Sequence, residues 1–143
     1  MRGYTNGMRG THFENITKTK NFEKLKIALT EVKSGIDNWD EHRQKMKDIP
    51  SLGLSTYSKF LYFIAPHIEN NPPLILDLRI IAVVKKDNFN ILSDLKKNLT
   101  YTHAPKYYPT YLKKMKELSS TLNVEPANLE MFLFMFGTNL KSK

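Results

Sequence analysis

Asp77 is the residue of this chain whose type and surroundings are best suited to chemistry. It follows the apolar run Leu74-Ile75-Leu76 and precedes Leu78 to Lys85, a stretch whose apolar pattern predicts a helix. A carboxylate at such a helix start accepts from backbone N–H groups and stands in a partly dry setting, where its negative charge can stabilise a positive centre. The same placement serves equally as a plain N-cap, worth on the order of 1 kcal/mol to the helix. A second candidate is the turn Ile49-Pro50-Ser51-Leu52-Gly53-Leu54-Ser55. Backbone N–H groups from Leu52, Gly53, Leu54 and Ser55 would point outward at the positive end of the next helix, an anion site that takes a phosphate and reads no base sequence. Gly53 is expected to adopt a backbone conformation that other residues resist, and Ser55 to cap the helix. Tyr101, His103, Lys106, Tyr107, Tyr108 and Tyr111 form an aromatic and basic cluster that could stack on an unpaired base or pack on its own core. Phe132, Phe134 and Phe136 read as core or as the wall of a pocket. His12, His42, His67 and His103 lack the spacing of a metal site, so no metal is expected and solvated histidine is the simpler reading.

The elements that must position these groups are helical. Apolar spacing predicts a helix from Asn21 to Ser34, with Gly35 at a left-handed C-terminal cap. Asp37 would cap a second helix to about Lys47, with Trp39 inward, and an apolar helix follows from Thr56 to Ala65. Asn70-Asn71-Pro72-Pro73 is a loop, after which Leu74 to Val84 is either buried helix or a short strand. Asn88 to Leu99 reads as a helix, Thr100 to Pro109 as a loop, and Tyr111 to Leu122 as an amphipathic helix with lysines outward. A last helix from Glu125 to Phe136, stopped by Gly137, is so apolar that it is expected to be largely buried. The fold class expected is therefore all-α, about seven helices, with residues 1–12 a flexible N-terminal arm and residues 13–143 one helical domain.

Length and composition bound the rest. A chain of 143 residues with 41% hydrophobic residues and no cysteine suits one domain with a real core, and excludes disulfide scaffolds and cysteine-ligated zinc or iron–sulfur centres. No apolar run reaches the roughly 20 residues that cross a bilayer, and the first residues lack a signal sequence, so no membrane partner and a cytoplasmic place are expected, at the nucleoid in a prokaryote. Twenty-two Lys plus Arg against 14 Asp plus Glu give a net charge of +8, which favours a polyanion such as nucleic acid.

Ile49 to Ile81, IPSLGLSTYSKFLYFIAPHIENNPPLILDLRII, resembles the helix-hairpin-helix (HhH-GPD) DNA glycosylases, and most of all the compact archaeal-type 8-oxoguanine DNA glycosylase/AP lyases. Ile49 to Leu61 is similar to their hairpin, Pro72 to Ile81 to their Pro-rich loop and Asp-bearing helix, and Tyr111 to Lys141 to their last two helices. The resemblance implies that a base is swung out of double-stranded DNA and that Asp77 supports cleavage of its bond to the sugar, with no cofactor. It implies a DNA-phosphate grip at Leu52 to Ser55, and a base pocket drawing on Tyr57, Tyr107, Tyr108, Phe132 and Phe136. The family's lyase lysine falls where this chain has Ser55, and Lys59, one helical turn on, is the amine that could replace it. Fewer elements precede the hairpin than in the family, so a homodimer or a further helical partner would complete the pocket. The alternative is a catalytically inactive helix-hairpin-helix DNA-binding protein.

Overall fold

The computed structural model describes residues 11–141. Among the described residues seven α-helices follow one another: α1 (Thr11–Thr17), α2 (Thr19–Glu31), α3 (Trp39–Lys47), α4 (Leu54–Ile64), α5 (Leu78–Lys85), α6 (Ala104–Leu122) and α7 (Pro126–Phe136). Short 3-10 turns at Val32–Ser34, Asn90–Leu95 and Gly137–Asn139 complete the architecture. Among the described residues there is no strand, only isolated bridges at Ile36–Ile68 and Ile68–Asn71, so the helical reading of Leu78 to Val84 holds over the strand. No helix among them is long and apolar enough to cross a membrane.

The core joins every helix, from Ile16 on α1 and Leu25 on α2 to Leu129 and Leu133 on α7. Its centre is aromatic. Trp39 and Tyr108 lie 4.9 Å apart between ring centroids, Tyr57 stacks on His42, and all four rings are buried. His42 is thus a core histidine bonded at 2.8 Å to the Tyr57 hydroxyl, not a solvated one, and burial holds its pKa below the usual value.

Several expectations needed correction, each for a local reason. Thr11 and His12 belong to α1, while the rest of the expected arm lies outside the described residues. Asn38, not Asp37, caps α3: its side chain accepts from Glu41 N at 3.1 Å. On α2, Phe22 and Ile27 are half exposed while Leu25 and Ala28 are buried, and Gly35 ends the turn Val32–Ser34 with φ 105 and ψ 166, a positive φ but not the left-handed cap expected. Asn88 to Leu99 forms only the 3-10 turn, whose three-residue period stacks Leu92 and Leu95 on the core. The expected loop from Thr100 to Pro109 is mostly helix, since α6 begins at Ala104. Pro109 cannot supply an N–H to the Pro105 carbonyl, and the Trp39 indole supplies it instead at 2.6 Å.

The last helix differs most from expectation. Leu129, Glu130 and Leu133 are buried, whereas Met131, Phe132, Met135 and Phe136 are each about half exposed. Only a narrow stripe of α7 meets α5 and α6. Gly137 follows it at a very close approach, where an added Cβ would stand 2.6 Å from Val83 Cγ2. Gly137→Ala is therefore expected to lower stability by about 1–3 kcal/mol, with partial recovery in the Gly137→Ala, Val83→Ala double variant, both read by urea unfolding.

Candidate active site

The loop before α5 is fixed by its main chain. Tyr108 on α6 donates its hydroxyl to the Leu74 carbonyl at 2.6 Å, and Tyr111, one turn on, donates to the Ile75 carbonyl at 3.2 Å. From the other side, the Leu76 N–H donates to Ser58 Oγ on α4 at 3.1 Å, and that hydroxyl in turn donates to the Ser55 carbonyl at 3.3 Å. Pro72 and Pro73 bring no N–H that would need a partner here, and Leu74 and Leu76 are each 1% exposed.

Asp77 follows this clamp directly. Its Oδ1 accepts from Arg79 N and Ile80 N, each at 3.0 Å, so it is the N-cap of α5 as the sequence reading expected. The residue is half-buried, with Leu78 beside it largely exposed. Arg79 leans toward α7, its guanidinium carbon 5.0 Å from the centre of the Phe134 ring and its Nη2 3.4 Å from the Met135 carbonyl. Lys59 is exposed and stands next to Ser58, while Asp77 stands next to Leu76, so one hydrogen bond places the two functional candidates on adjoining backbones.

The connection from Asp48 to Gly53 leads into α4 with different geometry from that expected. Ser51, with φ 63, takes the left-handed conformation; Gly53, with φ −84, does not. What Gly53 provides is room, since a Cβ there would come within 3.0 Å of the Tyr101 hydroxyl. Gly53 itself is the N-cap, without a side-chain cap, and α4 starts at Leu54. Ser55 lies inside the first turn and not at its cap. The leading N–H groups of α4 therefore have no side-chain cap, and the Tyr101 hydroxyl stands close to Gly53.

The remaining candidates are dispersed. Tyr57 and Tyr108, each 0% exposed, are enclosed in the core, and their hydroxyls are bonded to His42 and the Leu74 carbonyl, so neither ring is open to a base. Tyr107 is half-buried with the Lys106 ammonium 5.6 Å from its ring centre, and Tyr101 is exposed beside Gly53. Phe132 and Phe136 pack on each other at 5.6 Å, but each lies roughly 160° around α7 from Phe134, away from Arg79. Among the described residues no group of three His, Asp or Glu could hold a metal ion.

Sequence reasoning missed Glu130. It is 4% exposed on the packed stripe of α7, and burial first, then the charge of Asp77, push its pKa up to about 7. The same carboxyl helps hold Tyr111 well above the ordinary tyrosine range, after burial itself. A lone acid inside the run LEMFLFMF was the available signal.

Fold and site together define an all-α protein with a carboxylate clamped at one helix start, near a second helix start without a side-chain cap and an exposed lysine. A family model described as "Putative 8-oxoguanine DNA glycosylase OGG-like protein" matches residues 2–134, and the chain belongs to that family. The membership relates it to DNA glycosylases, and the segment ahead of α4 lies within the match. Neither the curated proteins nor the solved structures hold a match.

Glu130 also makes stability depend on pH. Its folded pKa is raised, so the folded state holds the proton more tightly than the unfolded chain; the contribution is full at low pH and is lost as pH rises through about 7. Relative to Glu130→Gln, the wild type is expected to lose about 2–3 kcal/mol of unfolding free energy between about pH 5 and about pH 8, measured by urea titration.

Proposed function

We propose that the protein is a DNA glycosylase that flips an oxidised purine of the 8-oxoguanine type out of double-stranded DNA and cleaves its bond to the sugar with the help of Asp77. The reading rests on family membership and on one observation in particular, the capped Asp77 held beside α4 by the Leu76–Ser58 bond. In this reading α3, the Asp48 to Gly53 connection and α4 are the helix-hairpin-helix element. The open start of α4, from Leu52 to Ser55, takes a backbone phosphate, and the positive net charge holds the duplex whatever its sequence.

The chemistry asks little of the protein. As the carbon–nitrogen bond breaks, its electron pair leaves with the base, which takes up a proton, and positive charge develops on the sugar. Asp77, half-buried and fixed by its two N–H donors, faces that charge with its second oxygen unassigned to the helix. Water then adds its oxygen to the sugar carbon and releases a proton. A lysine amine could add in its place, giving a Schiff base and strand scission, and Lys59 is the amine on the adjoining backbone. Leu78 and the Arg79–Phe134 pair supply apolar and cationic surface for the extruded base.

Ser55, where the family's lyase lysine is expected, bears on strand scission alone; the reading of a silent DNA binder is favoured by Tyr57 and Tyr108, two rings expected in the base pocket that are enclosed in the core. The two readings are separated by Asp77→Asn. Asparagine caps a helix as well as aspartate does, so fold and duplex affinity are expected to persist while excision of 8-oxoguanine from an end-labelled duplex falls by at least about a hundredfold. Unchanged excision in this variant overturns the assignment, and wild-type protein that shifts duplexes without forming product from any lesion establishes the silent binder. Borohydride trapping that is lost in Lys59→Gln identifies the amine; trapping that persists assigns it elsewhere.

A further inference from the structure

The last helix buries a carboxyl for which the proposed chemistry has no use. Glu130 is buried on the stripe of α7 that packs against α5 and α6, between Leu129 and the exposed face of the helix. The titratable groups that feel it from those elements are Asp77 at the start of α5 and Tyr108 and Tyr111 on α6, and Glu130 lies one helical turn before Phe134, the ring that Arg79 meets two residues after Asp77. Arg79 is occupied by the Phe134 ring and the Met135 carbonyl, and Lys86, at the far end of α5, by the carbonyls of Thr138 and Leu140. Among the described residues no ion pair joins Glu130 to a cation. The two tyrosines nearby hold the loop that presents Asp77, since they donate to the carbonyls of Leu74 and Ile75. Glu130 is thus within electrostatic reach of the side chains that fix the reactive carboxylate and of that carboxylate itself.

We propose that Glu130 is a positioning residue of the Asp77 site, a buried carboxyl that acts on the reacting centre by adding or withholding a second negative charge near Asp77. The proposal rests on the glycosylase reading. Burial, and after it the charge of Asp77, bring Glu130 to about 7, so its proton leaves near neutrality. With the proton in place the sugar meets the field of Asp77 alone. Without it, a second charge in a poorly screened interior favours the cationic sugar that forms as the base departs. Glu130 touches neither base nor sugar and exchanges no proton with them.

The test is a single-turnover excision profile from about pH 5.5 to about pH 8.5, on a duplex carrying 8-oxoguanine, for the wild type, Glu130→Gln and Asp77→Asn. The wild-type rate is expected to rise on the order of fivefold with a midpoint near 7, and Glu130→Gln to lose that limb and keep the lower rate. An active wild type whose limb survives in Glu130→Gln overturns this role alone. A wild type inactive on every lesion overturns the glycosylase reading and this role with it. Titration of the Glu130 side-chain carboxyl carbon by NMR in the unliganded protein gives a second measure that needs no turnover. A midpoint near 7 that falls in Asp77→Asn supports the coupling; a midpoint in the ordinary glutamate range, or one that Asp77→Asn leaves unmoved, overturns it.

Discussion

Three side-chain hydroxyls hold the main chain of Leu74, Ile75 and Leu76, and the placement of Asp77 depends on them. Tyr108 and Tyr111 take the first two carbonyls from α6, and Ser58 takes the N–H of the third from α4. Each bond is buried or partly buried, so an unmade partner would carry the full cost of a desolvated polar group. Loops ordinarily owe their shape to turn residues and to water. This one owes it to two helices, and a capping carboxylate at its end inherits their rigidity.

That dependence explains how far the sequence could be read. The helices with plain apolar spacing, α2, α5 and α7, were visible, and so was Asp77 as a cap, because capping is a local event of three or four residues. Pro105 and Pro109 hid the first turns of α6. The carbonyl that Pro109 leaves free is satisfied by Trp39, a residue 66 positions away, and no local pattern carries that. Tyr57 and Tyr108 looked like stacking candidates for a similar reason. Their partners, His42 and the Leu74 carbonyl, lie on other elements, and only those bonds turn them from surface aromatics into core.

The last helix taught the converse lesson. Its apolar run was read as largely buried, yet only the stripe that meets α5 and α6 is covered, with Gly137 close against Val83 at its end. Glu130, the one charge in the run, fell on that stripe. Composition alone would have put the acid outside and the phenylalanines inside. Helical phase and one glycine decided the opposite.

Ser58 carries a consequence of its own. Through one oxygen it joins the first turn of α4, by the Ser55 carbonyl, to the residue before Asp77, by the Leu76 N–H. The start of α4 and the start of α5 are therefore the two ends of a short, stiff lever. A single serine hydroxyl thus sets the spacing between two helix starts that are far apart in the sequence.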